Sequence, residues 1–561
     1  MEHSKFKMKL GECTNSFNTA FNELKKEKIV ERIWKKDYTV WSNEPTEITN
    51  RLGWLFSPET SIKALQKIEE FVKGVKQDGF TKTLLMGMGG SSLAPEVFSL
   101  TFGSKQGYPE IFVLDSTDPD KVSEFDKIIK NEKTLFIVST KSGGTVETFS
   151  FMKYFYNQTL NTLDKEETGK RFVAITDPGS GLEKVAKELN FRKIFLNDPD
   201  IGGRYSALSF FGIVPAALIG VDIEKLLKKA KVVSTNSKAG DSLAGKLGTA
   251  IGELAKQGKD KLTFIISPQI SFFGAWVEQL IAESTGKNGT GILPVDGESL
   301  ESPEYYSNDR LFVYIHLKDE NIEKEVVEKL SNAGHPVIEI ILDDLYDLGD
   351  QYFIWELATV VAGWRLGIQP LDQPDVESAK ILTKQMVKEY QEKGKLPEQK
   401  PIIKDNDIAI YGDIKVISVS EALKKFLDDS ITEGSYVALQ AYIKPENQYS
   451  NLLQELRAKI QKKYKVATAV GYGPRFLHST GQLHKGDAGK GLFIQFTSSH
   501  QNDLPIPDKP GEDKSSISFG ILKNAQALGD RQALLDKGRK VLRFDLGTDV
   551  IIGLKKINDW F

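Results

Sequence analysis

From Ser57 onward, short uniformly apolar runs alternate with stretches whose apolar residues recur at helical spacing. The runs "KTLLMG", "EIFVLD", "TLFIVST", "RFVAIT" and "KIFLND" lie between residues 82 and 198. They are too short for helices, and their unbroken apolar character predicts strands buried on both faces. Amphipathic segments separate them. "SPETSIKALQKIEEFVKGV" is one, with Ser57 as candidate N-cap and Pro58 at the first helical position. Such alternation predicts a parallel sheet with helices on both sides.

A second series starts near Val221, with "DKLTFIIS", "GILPV", "RLFVYIHL" and "HPVIEIIL" as strands. Its helices include "IEKEVVEKLSNAG" and "DVESAKILTKQMVKEYQEKG", the latter stopped at Gly394. Residues 393–407, polar with two prolines, read as a linker. A third, smaller series follows with "SYVALQAYI", "KVATAVGYG", "KGLFIQFT" and "KVLRFDLG". The first 55 residues read as helical, on segments such as "FNELKKEKIVERIWKK". The expected layout is α/β throughout: a helical segment (1–55), two tandem α/β domains (56–220 and 221–395) and a C-terminal α/β domain (408–561).

Composition narrows the function classes. The 561 residues are 40% hydrophobic and 27% charged, with a formal net charge of −3. That charge offers no field for nucleic acid or an anionic membrane, and acidic and basic residues are interleaved. The one cysteine, Cys13, excludes an intramolecular disulfide and suits a reducing compartment. No apolar run approaches the roughly 20 residues that span a bilayer. The start, "MEHSKFKMKLGEC", has no apolar core of a secretory signal. A cytoplasmic protein is expected.

Two strand–turn–helix units carry candidate chemistry. "LLMGMGGSSLAPEVF" (84–98) passes from a strand through Gly87, Gly89 and Gly90 to Ser91, Ser92 and a helix start. Glycines let backbone N–H groups approach an anion, and a helix N-terminus favours negative charge. It is neither a Walker loop nor G-x-G-x-x-G. By itself it is equally well a plain tight turn. "TLFIVSTKSGGTVETFSFMKYF" then places Thr140, Ser142 and Thr145 around Lys141, Gly143 and Gly144. Three hydroxyls exceed what a helix cap uses and suit a phosphate cradle without metal. Two such loops on one sheet predict one anion held between them.

"MGMGGSSLAP" and "STKSGGTVET" resemble the paired loops of the sugar isomerase (SIS) fold. "IGGRYSALSFFG" (201–212), "AESTGKNGTG" (282–291), "PLDQPDVESAK" (370–380) and "HSTGQLHKG" (478–486) resemble segments of the phosphoglucose isomerase family, most nearly the isomerase half of transaldolase–phosphoglucose isomerase fusions. The resemblance implies two SIS-type domains. It also implies an aldose–ketose isomerase acting on glucose 6-phosphate and fructose 6-phosphate, with no cofactor and no metal.

By that resemblance Glu283 is the base moving a proton between C2 and C1, and Arg204 stabilises the enediolate. His478 and Lys380 open the ring. Gly90, Ser91, Thr140, Lys141, Ser142, Thr145 and Gln373 bind substrate. Without the motif, Glu283 reads as a solvated helix-end glutamate and Lys380 as a solvated helix lysine. His484 reads as a loop residue supporting His478, and His478, His484 and His500 lack metal-ligand spacing. The partner is a small hexose 6-phosphate; a homodimer is implied by the family. In ordinary members the histidine motif precedes the lysine motif and the histidine comes from the neighbouring subunit. Here Lys380 comes first, so His478 acting within its own chain or on a partner stays open. A non-catalytic sugar-phosphate sensor on the same fold, or an isomerase of another hexose 6-phosphate, are the alternatives.

Overall fold

Three sheets are laid down in chain order, each from one of the three apolar series. The structure is a computed structural model and describes residues 5–561 except 131, 321, 398, 406 and 501. The first sheet contains β2 (Lys82–Gly87), β3 (Glu110–Leu114), β4 (Thr134–Ser139), β5 (Phe172–Thr176) and β6 (Lys193–Leu196). All are parallel, in the order β3-β2-β4-β5-β6. Every residue of β4 and β5 is buried, as strands covered by helices on both faces require.

The second sheet contains β7 (Lys261–Ile266), β8 (Leu293–Val295), β9 (Arg310–Leu317) and β10 (Val337–Leu342). Its order is β1-β10-β9-β7-β8. Here the N-terminal segment departs from the all-helical expectation. Phe6–Lys9 forms β1, antiparallel to β10 with Phe6 opposite Ile340. Its four residues alternate between half-buried and exposed, the pattern of an edge strand, which is too brief to stand out among helical neighbours.

The third sheet contains β11 (Ile403–Asp405), β12 (Ile408–Tyr411), β13 (Tyr436–Tyr442), β14 (Ala467–Tyr472), β15 (Gly491–Thr497) and β18 (Lys540–Asp545). A two-stranded ribbon of β16 (Pro505–Ile506) and β17 (Ile517–Ser518) stands beside it. The order is β11-β12-β18-β15-β13-β14, with β11 and β12 antiparallel additions to a parallel core. The expected linker therefore ends in an edge strand, β11. Its start is as read: the helix Val376–Lys393 closes on Gly394 at φ +73°. The Ser57 cap moves by one residue. The helix Ser57–Lys63 is capped at Phe56, and the Ser57 hydroxyl is buried without a partner.

Each sheet reverses its winding once: between β2 and β4, between β7 and β9, and between β13 and β15. Open α/β sheets bind ligands at the carboxyl ends of the strands flanking such a reversal. The two hydroxyl-bearing loops follow β2 and β4, so topology makes them neighbours. The C-terminal domain is held by apolar contacts to both others. Phe519 and Leu522 join the core on one face of the first sheet, with Phe519 stacked on Phe151 at 5.8 Å. Leu483 and Phe493 share a core with Ala282, Leu293 and Val295 of the second. This double docking carries the segment after β14, and His478 with it, between the first two sheets.

Candidate active site

Arg204 sits in a single 3-10 turn, Gly203–Tyr205, and is 4% exposed. Its guanidinium donates Nε to Ser284 Oγ at 2.7 Å, Nη1 to Gln373 Oε1 at 3.2 Å, and Nη2 to the carbonyls of Pro370 and Asp372 at 2.8 and 3.0 Å. Nη1 also faces Glu283 Oε1 at 3.4 Å. Glu283 lies near the end of the helix Phe273–Thr285 and is 8% exposed. The structure thus brings the buried pair Arg204 and Glu283 together, with the exposed Gln373 at their edge. Lys287 anchors the same segment by donating to Asp372 O and Oδ1 at 2.7 and 2.6 Å. Burial, then repulsion from Arg204, pulls its ammonium down to about 8.

His478 ends the 3-10 turn Arg475–His478, which is clamped to the first domain. Arg475 Nη1 donates to Glu96 Oε1 at 3.0 Å and reaches Asp115 Oδ2 at 3.1 Å, while Nη2 binds the other Glu96 oxygen. The His478 imidazole meets a residue that the motifs did not single out: Nε2 lies 3.0 Å from Glu147 Oε1. Gln526 Nε2 donates to that same oxygen at 2.7 Å, and Thr117 Oγ1 donates to Gln526 Oε1 at 2.8 Å. Burial pushes the Glu147 carboxyl up, but the His478 imidazole and Lys380 outweigh it, and it ends below the usual carboxylate range. The signal was present in "GGTVET", an acid two residues after the last loop hydroxyl. Nothing local shows that this acid is buried.

One amide joins the two halves. Gln279 Nε2 donates to Glu283 Oε2 at 3.1 Å and to the His478 carbonyl at 2.8 Å. Gly89, at φ +54°, packs beside that pair, and a methyl there would stand 2.7 Å from the His478 oxygen. Gly90 is tighter still: its methyl would meet the Gly203 carbonyl at 1.9 Å. Gly90→Ala should therefore push Arg204 out of place. A thermal melt should show a loss of about 1–3 kcal/mol, with a parallel fall in turnover.

A cavity of about 250 Å³ opens beside His478, lined among others by Ser142, Thr145, Glu147, Lys380 and Gln526. Thr140 Oγ1 and Thr145 Oγ1 are 3.0 Å apart, which closes the second loop. Lys380 is half exposed, with Glu377 at 3.5 Å. Of the other expected substrate contacts, Gly90, Ser91, Thr140, Lys141 and Gln373 lie outside this lining, as do Glu283 and Arg204. The first loop turns its Ser91 and Ser92 N–H groups onto Met88 and Gly89 carbonyls, and serves as the joint between the Arg204 turn and His478. Lys141 gives its ammonium to Asp177 and the Pro199 carbonyl.

His484 is a core residue, 2% exposed, against Phe493 with ring centroids 5.0 Å apart. Burial and the neighbouring Lys485 and Arg539 hold its imidazole well below the usual range, that is, neutral. The ligand atoms of Asp118, Asp120 and His500 lie within 4.8 Å of one another, but Lys523 Nζ already stands 3.0 Å from Asp118 Oδ2. One of the three groups thus already has a cationic partner.

Two α/β units, the first with SIS-type loops at its switch point, and a buried acid–arginine pair between them, define a phosphosugar-isomerase architecture. The phosphoglucose isomerase family profile matches residues 61–290. A probable glucose-6-phosphate isomerase of Methanococcus maripaludis is 30% identical over 376 residues, 60% of this chain and 84% of that protein. The glucose-6-phosphate isomerase of Mycoplasmopsis pulmonis is 29% identical over 411 residues, 64% of this chain and 96% of that one. The crystal structure of a Chlamydia trachomatis glucose-6-phosphate isomerase shares the fold, with a TM-score of 0.59 and 17% identity over 68% of this chain and 88% of that one. The chain belongs to the phosphoglucose isomerase family. No helix among the described residues is long and apolar enough to cross a membrane.

Proposed function

We propose that the protein interconverts glucose 6-phosphate and fructose 6-phosphate. The observation that supports this reading is the hydrogen-bonded path from Glu283 through Gln279 to the His478 carbonyl, which ties the helix bearing the proposed base to the turn bearing the proposed ring-opening histidine. The phosphate rests on the loop of Thr140, Ser142 and Thr145, with Lys380 across the cavity. Remote binding of this kind orients C1 and C2 for the proton step.

His478, with Lys380, passes the C1 hydroxyl proton to the ring oxygen and frees the aldehyde. Glu147 holds the imidazole in place through its contact with Nε2. Glu283 then removes the C2 proton, and Arg204 faces the enediolate oxygen. Protonation at C1, with the O2 proton moved to O1, leaves the ketose. The test is a coupled assay against glucose, mannose and glucosamine 6-phosphates. Turnover of glucose 6-phosphate should exceed the others, and equal or greater turnover of either competitor would reassign the substrate.

All of these groups belong to one chain, which supports His478 acting in cis. Mixing Glu283→Gln and His478→Ala proteins, each nearly inactive, should then restore no activity even after co-refolding. Recovery of about a quarter or more of wild-type turnover would place His478 in a partner's site.

A further inference from the structure

A second cavity, of about 210 Å³, lies at the carboxyl ends of β15 and β18, on the far side of the helix Phe519–Asp536 from His478. Ser498, Ser499, Asn524, Leu528 and Arg543 are among its lining residues. The helix places Asn524, Leu528 and Arg531 on one stripe at i, i+4 and i+7. Leu522 and Gln526, on another stripe, line the active-site cavity.

Arg543 is the anomaly. It is 7% exposed and its guanidinium lies over the Tyr411 ring, 3.9 Å from the centroid. Its Nε has no hydrogen-bond partner, and the same is true of Arg531 Nε. Among the described residues neither guanidinium has a carboxylate within ion-pair distance. Asp545 acts on Arg543 only from further away, and its oxygens accept from Thr497 Oγ1 and Gly547 N, each at 3.0 Å. Arg531 in turn feels burial and the like charge of Arg543. Arg543 is thus buried with only Tyr411 and the more distant Asp545, itself in the lining, to offset its charge, and the partly buried Arg531 adds like charge beside it, so an anion in the cavity would relieve a desolvation cost of several kcal/mol.

We propose that this cavity binds a small phosphate ester, with Arg543 gripping the phosphate, Arg531 adding positive charge from behind the lining, and Asn524 and Ser499 meeting the organic part. Forked guanidiniums suit tetrahedral oxyanions. The volume exceeds that of a bare ion: at about 30 Å³ per water it equals roughly seven waters. The site is separate from the isomerase reading and does not rest on it.

Calorimetric titration of the full chain with glycerol 3-phosphate and with inorganic phosphate tests the proposal. Wild type should bind one equivalent of glycerol 3-phosphate that Arg543→Met loses and Thr145→Val retains, and Arg531→Gln should weaken it about tenfold. In phosphate-free buffer Arg543→Met should turn over substrate within twofold of wild type and melt no lower, because it removes an uncompensated charge. Unchanged stoichiometry in Arg543→Met, or a lower melting point with unchanged binding, would make Arg543 a structural residue and overturn the site. Inorganic phosphate binding as tightly as the ester would overturn the ester assignment.

Discussion

Glu283→Gln should lower kcat by about three to four orders of magnitude while leaving KM within a few-fold. Glutamine keeps the shape and one oxygen, so the Gln279 hydrogen bond survives and the helix Phe273–Thr285 keeps its packing. It cannot take a proton from carbon. On the proposed reading the substrate is held mainly by the phosphate loop and Lys380, which this change does not touch. The melting point should stay within a few degrees of wild type, separating a chemical defect from a folding one. A fall in stability that matched the fall in rate would instead mark Glu283 as a packing residue.

Arg204→Lys should cost about two to three orders of magnitude in kcat, comparable to loss of one preorganised oxyanion donor. The positive charge stays, so any residual effect of charge on binding is kept. The fork is lost. A lysine ammonium has three donors and cannot serve Ser284, Gln373 and the carbonyls of Pro370 and Asp372 together while facing Glu283. The orphaned buried acceptors should also lower stability by about 1–3 kcal/mol. Activity within tenfold of wild type would show that charge alone suffices and that the fork geometry is dispensable.

The three sheets were legible because buried parallel strands write themselves as unbroken apolar runs. "TLFIVST" became β4, and "RLFVYIHL" became β9, with hardly a residue of adjustment. β1 was hidden for the opposite reason: an exposed edge strand of alternating Lys and apolar residues carries little periodic signal in four positions. Glu283, Arg204 and Gln373 were found through motif resemblance, and the geometry gathers them. Their partners were not legible. Gln279, Glu147 and Gln526 matter only because three domains converge, and a contact such as Gln526–Glu147, 379 residues apart in sequence, leaves no local trace. Lys141, a substrate contact by family resemblance, has a second partner that no local pattern shows: its ammonium meets Asp177, on a neighbouring strand's loop.

Hydrogen exchange at carbon tests the central claim most directly. In deuterated buffer, with glucose 6-phosphate at saturation, the wild-type protein should place solvent deuterium on C1 of fructose 6-phosphate and C2 of glucose 6-phosphate, read by NMR. Glu283→Gln should bind the sugar phosphate yet exchange at least about a thousandfold more slowly. Exchange by the Glu283→Gln protein at the wild-type rate would contradict the account, since another group would then be moving the proton.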